Sequence, residues 1–372
     1  MSEEITQKKI RVAVVFGGRS SEHAISCVTA GSVMAAIDAS RYEVLPIGIA
    51  RDGRWVLPPA DARLAISDGR LPEVDGTGSA LALPFDPDAP GLMVVEPGEV
   101  PRALGGVDVV LPLLHGPYGE DGTIQGLLEL AGVRYVGAGV LASAASMDKG
   151  YMKLIWQACG LPVGPYVMIT DREWRLERDR KLDEVKQLGR PVFVKPARAG
   201  SSMGITKVTR DEDLAAAIEE ARTHDPKVIV EAGVEGVEVE CGVLQGVADG
   251  PTEASVPAEI VMLGEHDFYD FETKYLDGTS RLEIPARLPQ DVVDDLRATA
   301  IRAFETLDCE GLARVDFFVT PDRRLILNEI NTMPGFTPTS AFPQMWAATG
   351  VPYGELVDRL IQTALARPLG LR

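Results

Sequence analysis

The segment 314–340, RVDFFVTPDRRLILNEINTMPGFTPTS, constrains the fold most: two β-type runs flank a Pro-Asp-Arg turn, which reads as a hairpin. Its polar residues fall where a plain apolar alternation would not put them. Side chains alternate across a strand with a period of two, so Arg314 and Asp316 share one face of the first strand. By the same rule Glu329 and Asn331 share one face of the second. If the hairpin pairs those faces, two carboxylates, an amide oxygen and a guanidinium converge on one spot. Such oxygen donors suit Mg2+, which favours one or two carboxylates plus substrate phosphates over an all-protein cage. A surface hairpin with charged residues on its wet face would carry the same spacing, so the pattern alone leaves both readings open.

At 372 residues the chain can hold two or three domains, each with its own core. With 45% hydrophobic and 25% charged residues it has the composition of an ordinary soluble globular protein. No apolar run approaches the roughly 18 residues of a membrane span. The amino terminus, MSEEITQKK, lacks the apolar region of a secretory signal, so a cytoplasmic protein without a membrane partner is expected. Cys27, Cys159, Cys241 and Cys309 are far apart and form no CxxC pair; buried, reduced thiols are expected rather than a zinc site or disulfides. A net charge of −18 disfavours nucleic acid as a partner, because phosphate contacts need a concentrated basic surface. An anionic substrate such as ATP would still need local lysines and arginines.

A β-type run at 10–16, the loop Gly17-Gly18-Arg19-Ser20-Ser21-Glu22 and a helical pattern over 23–37 open the chain. Further β-type runs at 42–49 and 107–114, with a helix near 122–131, predict a βαβ domain on a parallel sheet. The Pro-, Gly- and Asp-rich stretch 51–105 reads as an irregular insertion or a small antiparallel addition. A second unit is expected from about 147, with a helix over 149–158 stopped at Gly160 and Pro162, strands at 191–196, 204–208 and 228–231, and a helix over 212–222. The third has strands at 237–244 and 254–261, a polar loop at 264–280, a long helix near 290–307, the hairpin and two closing helices.

The chain has no GxxxxGK[ST] sequence and its first βα loop lacks GxGxxG spacing, which weakens the P-loop and dinucleotide readings. The stretch 195–204, KPARAGSSMG, instead sets a lysine at the end of a strand and small residues behind it. Small residues let backbone N–H groups approach phosphate oxygens, and the lysine adds a point charge; a flexible hairpin loop would look the same. Lys149 and Lys274 are further phosphate candidates, although most single lysines are solvated surface charges. The apolar run that ends at Glu231 loosens into Ala232-Gly233-Val234, an exit that can offer backbone groups to an adenine or serve as a plain linker.

Together these pieces resemble the D-alanine-D-alanine ligase family of the ATP-grasp superfamily over nearly the whole chain. The most specific element is 115–126, HGPYGEDGTIQG, similar to the family's HGxxGEDGxxQG signature. The others are 17–23 (GGRSSEH), 195–204, 268–275 (FYDFETKY) and 314–340. The resemblance implies a mixed α/β and α+β chain: a preATP-grasp, Rossmann-like amino-terminal domain (1–146, with the insertion at 51–105), followed by a two-part ATP-grasp fold. Its central subdomain would span 147–233 and its carboxy-terminal subdomain 234–372.

It also implies an ADP-forming ligase of peptidoglycan precursor synthesis, commonly a homodimer. ATP phosphorylates the carboxylate of a first D-alanine, and the amine of a second attacks the acyl phosphate. Phosphoryl transfer mainly needs positioning and charge neutralisation. By resemblance, Asp316 and Glu329 hold one Mg2+ or Mn2+, and Glu329 and Asn331 the other. Lys149, Lys195 and Lys274 would contact the ATP phosphates together with the Ser201-Ser202 loop. Glu231, Ala232 and Val234 would frame the adenine, and Glu238 the ribose hydroxyls. Arg314 and the N–H of Gly335 match the family positions for the oxyanion of the tetrahedral centre, which needs preorganised donors. Glu22 would receive the first substrate's ammonium group, with Ser201 and Tyr275 in the hydrogen-bonded set that closes a loop over the site. Ser340 would receive the second D-alanine's carboxylate at a helix start. His115 would orient substrate or simply finish a strand. His23, His224 and His266 are expected to be structural or exposed, and Asp121 to form a turn.

Tyr275 favours D-alanine over D-lactate as acceptor. Another ATP-grasp carboxylate-amine ligase is disfavoured by the paired motifs at Gly17 and His115. A nucleotide-binding regulatory protein would be supported by loss of Arg314, Asp316, Glu329 or Asn331, and all four are present.

Overall fold

The computed structural model describes residues 8–59, 62, 64–66, 70–82, 92–95, 98–200, 203–262 and 280–370. Ser201, Ser202, His266, Lys274 and Tyr275 therefore lie outside the described residues. The chain divides into two compact units, one of Met1–Val140, Gln245–Pro251 and Gly335–Arg372, the other of Leu141–Leu244 and Thr252–Pro334.

The first unit opens with β1 (Ile10–Gly17), α1 (His23–Ala36) and β2 (Tyr42–Ile49). The short strands β3 (Trp55–Leu57), β4 (Ser79–Ala82), β5 (Leu92–Val94) and β6 (Arg102–Gly105) follow, then β7 (Val109–Pro112) and α2 (Thr123–Leu130). Val12, Ala13, Val14, Val15 and Phe16 are all buried. Such an unbroken apolar run suits a central strand covered on both faces, and β1 pairs in parallel with β2 on one side and β7 on the other. The 51–105 stretch is the antiparallel addition: β3 to β6 extend the sheet in the order β6-β5-β4-β3-β2-β1-β7. Ala13, Val15, Ile47 and Val110 share a core with Ile124 and Leu128 of α2. Each larger aliphatic side chain buried there contributes roughly 1.5–3 kcal/mol.

The second unit begins with α3 (Val140–Met147) and α4 (Lys149–Ala158). The Asp148 carboxylate accepts the N–H groups of Gly150 and Tyr151, which starts α4 with an N-cap. β8 (Tyr166–Ile169), α5 (Asp171–Leu176), α6 (Arg178–Lys186), β9 (Val192–Pro196), β10 (Thr206–Val208), α7 (Leu214–His224) and β11 (Val228–Ala232) complete its first sheet, ordered β10-β9-β11-β8. Val192, Val194, Val228 and Val230 pack on Leu214, Ile218 and Ala221 of α7.

Its second sheet comprises β12 (Val237–Leu244), β13 (Glu253–Ala254), β14 (Ala258–Met262), β15 (Ser280–Glu283), β16 (Leu312–Val319) and β17 (Leu325–Asn331). The order is β15-β14-β12-β16-β17, with β13 on β12. Between β15 and β16 runs α8 (Gln290–Thr306), whose Val292, Leu296, Ala300, Ala303 and Phe304 form a buried stripe at helical spacing. α9 (Ala341–Thr349) and α10 (Tyr353–Ala366) belong to the first unit. Cys27, Cys241 and Cys309 are buried free thiols as expected, but Cys159 is exposed, because it sits at the end of α4 where the chain turns at Gly160.

Candidate active site

In the hairpin, Arg314 lies opposite Asn331 and Asp316 opposite Glu329. Opposed residues of a ladder project to the same side, so the four groups share one face. That outcome depends on a β-bulge. Phe317 pairs with Leu327 while Asp316 pairs with Glu329, which leaves Asn328 as the extra residue. Without it Asp316 would face Asn328, and Glu329 and Asn331 would point to the opposite side of the sheet with Leu327, because a one-residue slip inverts every side chain.

The Asp316 carboxylate accepts two hydrogen bonds from Arg314, from Nε and Nη2, both at 2.7 Å, and one from Asn331 Nδ2 at 3.1 Å. On the other side of β16 the neighbouring strand places Glu240 opposite Asp316, with Oε1 at 3.3 Å from Arg314 Nε. Burial opposes the charge on Arg314, but Asp316 and Glu240 outweigh it and hold the guanidinium more firmly protonated than usual. Glu240, buried in the middle of β12, escaped the sequence reading. The alternation Val237-Glu238-Val239-Glu240 was the available signal, since it puts Glu240 on the same face as Glu238.

Lys149 Nζ stands 3.2 Å from Glu329 Oε2 and donates to the carbonyl of Ala199 at 3.0 Å. Glu231 is buried at the end of β11, with Lys195 Nζ 2.5 Å from Oε2 and Lys153 Nζ 2.8 Å from Oε1. Burial works against the charge on Glu231, but the two ammonium groups prevail and hold its carboxyl at about 2. Lys153 was the second residue missed from sequence. Ala232 donates its N–H to Pro165, and Val234 and Ile326 flank Gly164, so the β11 exit is lined by apolar groups next to the charged row. Glu238 is half-buried on β12 between Ile260 and Phe318. Behind the 195–204 loop, Arg198 grips Asp225 at 2.9 and 2.6 Å, and Gly204 turns back with φ +70° where a Cβ would strike His224 at 2.5 Å.

In the first unit the two amino-terminal motifs meet. Ser20 Oγ donates to the carbonyl of His115 at 2.7 Å and accepts the N–H of Glu22 at 3.2 Å. A Cβ on Gly116, which has φ +71°, would lie 2.7 Å from Glu22 Oε2. His115 is buried beside them. Glu120 Oε2 accepts the Gly116 N–H at 2.6 Å, while Asp121 accepts those of Tyr118 and Thr123, which makes it the turn former expected. His23 is structural: Val74 donates its N–H to Nε2, so the proton sits on Nδ1 and is given to the carbonyl of Gly18 at 2.7 Å. Also in this unit, a Cβ on Gly335 would be 3.2 Å from Ser340 Oγ, and Ser340 opens α9. Phe336 anchors that loop against Phe342 and Tyr353, whose hydroxyl donates to the carbonyl of Phe336 at 2.6 Å.

Two family models match this chain: "D-ala D-ala ligase N-terminus" over residues 11–138 and "D-ala D-ala ligase C-terminus" over residues 155–362. The chain belongs to the D-alanine-D-alanine ligase family. It is 61% identical to the D-alanine--D-alanine ligase of Kineococcus radiotolerans, over 99% of this chain and 100% of that one. With the ligase of Streptomyces coelicolor it shares 58% identity over 97% and 95% of the two chains. Among solved structures, the VanG D-Ala:D-Ser ligase from Enterococcus faecalis is similar with a TM-score of 0.83 at 33% identity, covering 96% of this chain and 100% of that one. The D-alanine-D-alanine ligase from Coxiella burnetii gives 0.79 at 32% identity over 96% and 94%. The preATP-grasp and ATP-grasp architecture and the ADP-forming ligase class expected from the motifs are those of this family. No helix among the described residues is long and apolar enough to cross a membrane.

Proposed function

We propose that this family member joins two D-alanines with ATP through a D-alanyl phosphate, releasing ADP and phosphate, in the cytoplasm and as a homodimer, for peptidoglycan precursor synthesis. The observation that carries the reading is the row Arg314, Asp316, Glu329 and Asn331 on one sheet face, flanked by Lys149 and Glu240. Asp316, Glu329 and the Asn331 amide oxygen are a donor set that fits two Mg2+ or Mn2+ ions, provided the amide presents Oδ1 and Asp316 shares its oxygens with Arg314. Ions bound there would neutralise charge on the transferring phosphoryl group. Lys149, Lys195 and Lys274, with Ser201 and Ser202, orient the phosphates; Glu231, Ala232, Val234 and Glu238 receive the nucleoside.

Glu22, ordered by the Ser20 and Gly116 contacts, takes the ammonium of the first D-alanine, with His115 beside it. Ser201 and Tyr275 complete that set. Attack by the second amine places negative charge on the former carbonyl oxygen, for which Arg314 and the Gly335 N–H are the donors. Ser340, near Gly335 and at a helix start, suits the second carboxylate.

Phosphate release with D-alanine alone, with added D-serine and with added D-lactate tests the assignment. D-alanine alone is expected to support turnover, with much less ester formed from D-lactate; equal or greater ester formation would overturn it. The similarity to a D-Ala:D-Ser ligase makes the D-serine arm the informative second reading. Gly116→Ala should raise the KM for D-alanine about 10-fold, which corresponds to roughly 1.4 kcal/mol, because its Cβ displaces the Glu22 carboxylate. An unchanged KM would detach Glu22 from the substrate.

A further inference from the structure

Lys153 lies one turn beyond Lys149 on α4, and none of the roles in the ligation uses it. At 3% exposure it is more buried than lysines are unless paired. Its ammonium group reaches Glu231 Oε1 at 2.8 Å, the Asn328 carbonyl at 2.8 Å and the Leu327 carbonyl at 3.4 Å. Of a lysine's three donors, two are given to these backbone carbonyls, and the charge is paired with the Glu231 carboxylate. Asn328 is the bulged residue of the hairpin, the one left without a ladder partner.

We propose that Lys153 is a positioning residue for this ligase: it holds the bulge that brings Glu329 and Asn331 onto the face of Asp316, and it holds the Glu231 carboxylate on the nucleotide strand. One buried ammonium thereby ties the register of the metal-binding strand to the nucleotide site. The tie is short because α4 presents Lys149 to Glu329 and Lys153 to Asn328 and Glu231 from the same helix. Loss of the ammonium frees the bulge to slip toward the unbulged register, in which Glu329 leaves the site face. The inference rests on the proposed metal and nucleotide roles of Glu329 and Glu231.

The test compares Lys153→Met, which removes donor and charge, with Lys153→Gln, which keeps one donor for the Asn328 carbonyl but no charge opposite Glu231. Thermal melting, steady-state KM for ATP and for D-alanine, the Mg2+ concentration for half-maximal rate, and MgADP binding by calorimetry are measured on the full chain. For Lys153→Met the KM for ATP, the Mg2+ requirement and the MgADP Kd should rise about 10-fold or more, the loss attached to outer-shell partners of a metal, while the KM for D-alanine stays within about twofold. Lys153→Gln should show the same split in smaller measure, and it decides the matter if Lys153→Met does not fold. Wild-type values in either folded variant, or a KM for D-alanine that rises in step with that for ATP, overturn the proposal by leaving Lys153 a structural pin. Wild-type protein that makes no dipeptide would strike the ligase reading instead, and MgADP binding would still report on Lys153.

Discussion

Glu329→Gln should abolish ligation while the protein stays folded. Glutamine keeps the shape and one oxygen but removes the charge that Glu329 would share between two cations and that faces Lys149 at 3.2 Å. The loss in kcat should be at least about 10²-fold, since even outer-shell partners of a metal cost about 10- to 100-fold when removed, and Glu329 would be a ligand itself. Glu329 is half-buried and lies on the site face rather than in the apolar core, so stability should stay within about 1 kcal/mol of the wild type. Coupled detection of ADP release together with a thermal melt separates the two quantities. Near-normal ATP-dependent ligation by the variant would remove Glu329 from the metal site.

Arg314 should lose activity in two distinguishable ways. Arg314→Lys keeps a positive charge but not the planar fork that engages both oxygens of Asp316. It should lower kcat by about 10²- to 10³-fold, the loss measured when one oxyanion donor is removed, with the fold retained. Arg314→Met should also destabilise the protein by about 3–5 kcal/mol, because it leaves the buried carboxylates of Asp316 and Glu240 without their shared counter-charge. Chemical denaturation of both variants beside single-turnover assays is the measurement. A lysine variant that ligates at the wild-type rate, or a methionine variant of unchanged stability, would sink the respective half of the expectation.

Much of the frame was legible in local pattern. The apolar run of β1, the strands at 42–49, 228–231 and 237–244 and the long helix α8 all announce themselves by periodicity, and the structure finds them within a residue or two of the expected bounds. The elements between Gly160 and Pro191 did not. α6, RDRKLDEVK, is a nine-residue helix so charged that only Lys181 and Val185 are buried, which leaves no apolar stripe to read. β3 to β6 are three or four residues each, too short for an alternation to stand out within a Pro- and Gly-rich stretch.

At the site, residue types and spacing determined the candidate set: a hairpin with paired polar faces, a lysine-led small-residue loop and the two amino-terminal motifs that carry the family resemblance. The parity of each strand followed from its sequence, because alternation is a property of the single strand. Whether the two faces coincide did not. It turns on one extra residue, Asn328, whose carbonyl is bonded by a lysine 175 positions earlier in the chain. The roles of Lys153 and Glu240 were hidden for the same reason. The cost of a buried charge is set by what it touches, and for these residues the partners come from distant strands that only the folded chain brings within hydrogen-bond reach.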